Sequence, residues 1–110
     1  MLHITIYSDF FVPARFAGIT FGPFVFIKPS YKADEGLLQH ELTHVKQFWH
    51  NPLLELWYKF SEKDRLKYEA EAYKVQMKFC PVDRTELFAS FLVKNYKLNI
   101  TLDEAKAALA

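Results

Sequence analysis

The chain opens on an alternation in which Leu2, Ile4 and Ile6 are apolar and His3, Thr5 and Tyr7 fall between them. A period of two over residues 2–7 predicts a half-buried strand. Residues 10–16 contain Pro13 and read as an irregular loop or a short helix. Two β-rich runs follow, Ile19-Thr20-Phe21 and Phe24-Val25-Phe26-Ile27, flanking Gly22-Pro23. They predict a hairpin over residues 18–28, ended by Pro29.

After Pro29 the period becomes helical. Leu38, Leu42, Val45 and Trp49 share one stripe, which predicts a helix from Asp34 to His50, stopped before Pro52. A short apolar segment, Leu53 to Phe60, comes next. Ser61 with Asp64 resembles a capping box and opens a helix to about Cys80, ended by Pro81. Asp83 with Glu86 opens another to about Asn95, and Thr101 with Glu104 opens a last short one. Strands precede helices, so the expected class is α+β, with a small N-terminal antiparallel or mixed sheet of about three strands.

Composition narrows the picture. With 110 residues, the chain fits one domain, residues 1–110. At 51% apolar and 17% aromatic it has enough to fill one core, and too little charge for disorder. A domain this small buries a modest share of its surface, so a bound metal would matter to stability as well as chemistry. Fourteen basic and thirteen acidic residues give a net charge of +1, which calls for neither nucleic acid nor an anionic membrane. No apolar run approaches the roughly 20 residues that span a bilayer. A single cysteine, Cys80, permits no internal disulfide, and the first residues lack the order of a signal peptide. The expected setting is cytoplasmic.

One run carries chemistry. His40-Glu41-Leu42-Thr43-His44 is an H-E-x-x-H motif on the first predicted helix. Residues four apart sit about 40° apart around a helix, so both imidazoles point to one side and can share a metal. Zinc accepts neutral histidine nitrogen, and Glu41, about 100° round from His40, flanks the pair where a general base could reach a metal-bound water. The apolar stripe lies on the opposite side, while Gly36 and Gln47 share the histidine side, offering room and an amide contact. The same motif also arises on surface helices with its side chains merely solvated.

A catalytic zinc usually takes three protein ligands. His50 projects about 80° away from His40 and sits at the helix C-terminus, where it suits the dipole. His3 lies at a chain end. The remaining candidates are Glu69 and Glu71 on the second long helix. Leu66, Ala70, Tyr73, Met77 and Cys80 gather on one side of Glu69, at the edge of an apolar face. Glu71 lies among Asp64, Lys67, Lys74 and Lys78 and reads as a solvated charge. A carboxylate against a core needs compensation, which zinc would supply, so the wheel favours Glu69. Cys80 fits a small buried hydrophobe better than a ligand. Tyr58, Tyr68 and Tyr73 are candidate oxyanion donors, though tyrosines on helices are mostly packed.

His40-Glu41-x-x-His44 followed by Glu69-x-x-Ala72 resembles the gluzincin metallopeptidases, and in length and layout the minigluzincins, over residues 19–76. The resemblance implies an active-site helix carrying zinc ligands His40 and His44 with base Glu41, and a glutamate helix carrying the third ligand, Glu69. Relatives often carry Asp or Asn one place after that Ala; here Tyr73 stands there. The likeness further implies that the strand near Phe24–Lys28 forms an upper rim that holds a peptide by strand addition. It also implies that residues 96–110 lie over the cleft as in a zymogen; an ordinary capping helix is the other reading.

The function expected is a Zn2+-dependent peptidase acting on peptides or unfolded polypeptides. The alternatives are a non-catalytic zinc-stabilised binding module or a latent zymogen. Phe48, Trp49, Leu53, Leu54, Leu56, Trp57, Tyr58 and Phe60 make residues 48–60 unusually apolar, a candidate surface for self-association or peripheral membrane contact.

Overall fold

The computed structural model describes residues 2–110, with residues 54–56 described by their backbone alone. The fold is α+β, a three-stranded mixed sheet followed by five helices. Three four-residue strands form, β1 (Ile4–Tyr7), β2 (Gly18–Phe21) and β3 (Phe24–Ile27). β2 and β3 make the expected hairpin, with Phe21 opposite Phe24. Gly22 takes φ 58° at the first turn position, where a side chain would be strained, and Pro23 fixes the next φ. β1 then pairs in parallel with β3, so the spatial order is β1-β3-β2.

That order corrects two expectations. β3 has a hydrogen-bonded neighbour on each side, so residues 24–28 cannot accept an added strand; β1 and β2 are the edges. The strand over residues 2–7 is not half-buried as its alternation suggests. Its register pairs Ile4 with Phe24 and Ile6 with Phe26, on the sheet face turned away from the helices, and Leu2, Ile4 and Ile6 are exposed. Val25 and Ile27 hold the inner face, buried with Leu37 and Val45.

A single 3-10 turn over Pro29–Tyr31 leads into α1 (Glu35–His50). Asp34 caps α1 by accepting the Leu37 N–H at 3.0 Å. α1 lies between the sheet and α3 (Glu62–Met77), and so buries Leu37 and Val45 as well as His40, Glu41 and Gln47. Trp49, expected on the core stripe, is 46% exposed. It lies one turn beyond Val45, off the inner face of the sheet, with its ring on Phe48 and its Nε1 donating to the Leu2 carbonyl.

The apolar segment before α3 is itself a helix, α2 (Leu54–Phe60). Ser61 caps α3 by accepting the Asp64 N–H. α3 ends at Met77 rather than near Cys80, because Lys78, Phe79 and Cys80 each bond back three residues, a tighter winding than the α-helix. Asp83 sits one place outside the cap of α4 (Thr85–Asn95); it accepts from the Thr85 N–H and hydroxyl, and Arg84 takes the cap position. α5 (Leu102–Leu109) starts on the complete Thr101–Glu104 capping box.

A second core joins Ala70 and Tyr73 of α3, Phe88, Ala89 and Leu92 of α4, and Ala105 and Leu109 of α5. α5 thus packs on α3 and α4. Trp49, Leu53, Trp57 and Phe60 are exposed, while the Leu54 and Leu56 side chains lie outside the described residues. Among the described residues no helix is long and apolar enough to cross a membrane.

Candidate metal centre

α1 carries His40 and His44 one turn apart, with both Nε2 atoms turned toward α3. α3 presents Glu69 to them. Glu69 Oε1 lies 3.1 Å from His44 Nε2 and 3.4 Å from His40 Nε2. One ligand atom from each of the three residues falls within 4.8 Å of the others, a group that could hold a metal ion. Metal–nitrogen distances near 2 Å in a tetrahedron give ligand separations of about 3.3 Å, so both measured contacts fit. His40 is 3% exposed and Glu69 4%. His44 is half-buried; an imidazole and a carboxylate as shielded as His40 and Glu69 are costly to bury unless paired, and a cation bound among the three offsets that cost.

The surroundings hold these three in place. Gln47 Oε1 lies 2.9 Å from His44 Nδ1. That contact orients the ring so that Nε2 faces Glu69 and donates to it while His44 is protonated; loss of that proton frees the Nε2 lone pair for a metal. The Gln47 amide nitrogen donates to the Tyr68 carbonyl and to Glu71, tying α1 to α3. Tyr58, at the end of α2, donates its hydroxyl to Glu69 Oε2 at 2.7 Å. Arg65 donates to the carbonyls of Tyr58 and Tyr96, fastening α2 and the end of α4 to α3. Tyr73 packs its ring 4.4 Å from that of His40 and shares a hydrogen bond with the Tyr96 hydroxyl. His40 Nδ1 has no hydrogen-bond partner among the described residues. Tyr73, at the place where the resembled family carries Asp or Asn, gives His40 a ring contact rather than an acceptor.

Glu41 stands beside the group. Its Oε2 lies 4.0 Å from His40 Nε2, and its Oε1 accepts the Thr20 hydroxyl at 2.8 Å. That hydroxyl also lies 3.1 Å from the Glu41 carbonyl. Gly18 gives the carboxylate room, since a Cβ there would meet Glu41 Oε2 at 3.4 Å and the Phe26 carbonyl at 3.2 Å. β2 therefore shapes the Glu41 side of the site with its inward residues.

The charges are tightly linked. Burial alone would lower the His44 pKa, but the Glu69 charge and hydrogen bond outweigh it and raise the value to about 9. Burial would raise Glu69, yet the His44 charge and the bonds from both histidines hold it well below the usual carboxylate range. Burial, then the Glu69 charge, push the Tyr58 hydroxyl far up, so it stays a donor. Tyr73 and Tyr96 are raised chiefly by burial.

His40 and Glu41 also bound a cavity of about 530 Å3, whose other walls include Phe16, Tyr73, Phe91 and Tyr96. The structure brings His40, His44 and Glu69 together and sets Glu41 beside them, as the motif and the wheel anticipate. Glu71 is turned away, exposed, with Gln47 as its donor. Neither His3 nor His50 joins the group, and the half-buried Cys80 thiol donates to the Gln76 carbonyl. Tyr58 donates its hydroxyl to Glu69, and the Tyr73 and Tyr96 hydroxyls share one hydrogen bond beside His40. Thr20, Arg65 and Tyr96 escape sequence reasoning. Alternation separates Thr20 from Ile19 and Phe21, but does not say which face meets α1. No family model matches this chain, and neither a curated protein nor a solved structure does.

Proposed function

We propose that this chain is a zinc-dependent peptidase of the gluzincin kind, with His40, His44 and Glu69 as ligands and Glu41 as general base. The observation that carries the reading is the gathering of three ligand atoms within 4.8 Å from two helices, with Glu41 Oε2 alongside at 4.0 Å from His40 Nε2. Two histidines and a glutamate leave a fourth position open, as catalytic zinc sites do. Bound zinc supplies Lewis acidity, lowering the pKa of water toward neutrality and polarising a scissile carbonyl. Glu41 accepts the proton of the attacking water and returns it to the leaving amine. Thr20 holds Oε1, which leaves Oε2 facing the histidines for this transfer. β2 is the sheet edge beside Glu41, suited to an extended peptide or unfolded polypeptide.

The test is Glu41→Gln. Metal content should persist while cleavage of an unfolded polypeptide disappears. Unchanged cleavage in that variant refutes the assignment.

The burial of the group favours a second reading, a metal that serves the fold alone. Chelation separates the two. Loss of cleavage with the fold intact supports the peptidase; unfolding on metal removal supports the structural role.

A further inference from the structure

Every outward position of the three strands is apolar, namely Ile4 and Ile6, Ile19 and Phe21, Phe24 and Phe26. The inward positions of the two edge strands are Thr5, Tyr7, Gly18 and Thr20. Alternation therefore marks the outer face of these strands for burial, although the helices pack on the inner one. The loop after β1 enlarges this face. Phe11 lies 5.2 Å from the Phe26 ring, and Phe10 meets Phe11 edge-on at 5.0 Å. Phe10 is 87% exposed and Phe21 68%.

We propose that this face is an interface with a second copy of the chain, the two sheets stacked across a two-fold axis. Aromatic side chains carry about 150–250 Å2 each, so the exposed parts of this face amount to roughly 750 Å2 of apolar surface. A stable complex buries about 800 Å2 per partner, and a monomer's largest patch is ordinarily about 300–600 Å2. Sheets stack face to face at about 10 Å with apolar side chains interleaved, and a two-fold contact needs no charge complementarity. A bilayer surface is less suited. The outward strand positions hold no lysine or arginine, and the net charge is only +1, so anionic lipid gains little attraction. The inference stands apart from the metal reading.

Sedimentation velocity on the whole chain tests it. The native protein should be a dimer at micromolar concentration. Phe21→Glu and, separately, Phe10→Glu should each weaken association at least about tenfold, with far-ultraviolet dichroism unchanged. Trp57→Glu, in the other apolar stretch, should leave the dimer intact. Phe10 lies on the loop, outside the packed core, so its variant decides the matter if Phe21→Glu fails to fold. A native monomer at about 100 micromolar overturns the proposal, that being far weaker than a standard-size interface gives. So does a dimer that survives both substitutions, or one that Trp57→Glu dissociates. A native monomer that sediments with phosphatidylcholine–phosphatidylglycerol vesicles would assign the face to a membrane instead.

Discussion

Gln47 and His44 share one turn of α1, and the Gln47 amide oxygen lies 2.9 Å from His44 Nδ1. The opposite end of the same amide reaches the Tyr68 carbonyl and Glu71 on α3. One side chain thus orients a histidine and fastens the helix that bears the third ligand.

Gln47→Ala should leave a folded chain whose histidine is free to rotate. Loss of such an outer contact typically costs about 10–100-fold in metal affinity. Competition against a chromophoric chelator measures this, and an unchanged affinity would count against the orienting role.

Glu69→Ala and Glu71→Ala should differ sharply. Only the first removes a carboxylate lying 3.1 Å from a histidine nitrogen. Elemental analysis should find metal lost in Glu69→Ala and kept in Glu71→Ala. The latter should cost within about 1 kcal/mol of stability, as one net hydrogen bond does. Metal lost from both, or from Glu71→Ala alone, would break the assignment of Glu69.

Tyr58→Phe deletes the hydroxyl that donates to Glu69 Oε2 at 2.7 Å. A buried carboxylate oxygen left without its donor costs about 1–3 kcal/mol. Urea unfolding of the metal-free variant should show a loss of that order.

Thr20→Val keeps the size of the side chain and removes the hydroxyl bonded to Glu41. Metal content should stay the same while turnover of an unfolded polypeptide falls at least about tenfold, since the base loses its orientation. A variant with full turnover would show that Thr20 serves packing alone.

The metal-free chain should respond to pH in a defined direction. His44 has a folded pKa of about 9, above its ordinary 6.5, so its contribution is complete below 6.5 and fades as pH rises through about 9. Glu69 is held below its ordinary value, so its contribution is complete above 4.5 and fades as pH falls. Stability from the pair should therefore be greatest between pH 4.5 and 6.5. Added metal must displace the His44 proton, so apparent affinity should climb with pH toward 9. Chelated protein that gains stability between pH 6.5 and 9 would contradict this linkage.

Much of the site was legible because helical geometry is rigid. A four-residue spacing sets His40 and His44 side by side whatever they pack against, and the wheel places Glu69, not Glu71, beside the apolar face. Pairing between distant strands is a different matter. No local pattern distinguishes a half-buried β1 from one whose isoleucines face outward, because parity is set by the register with β3, twenty residues away. Trp49 shows the same limit in a helix. Its stripe gives a direction, but the sheet stops short of it. Thr20, Tyr58, Arg65 and Tyr96 act through contacts between elements, which no spacing within one element encodes. The end of α3 slipped for a smaller reason, a tightening of its last turn before Pro81.

α1 is covered on two flanks, by the sheet and by α3, and of its sixteen residues only Glu35, Lys46, Trp49 and His50 are exposed. Mutational tolerance along this helix should accordingly be confined to those four places. Saturation mutagenesis would then find most of the helix intolerant, with neutral drift accumulating instead on α5's outer side and in the loops.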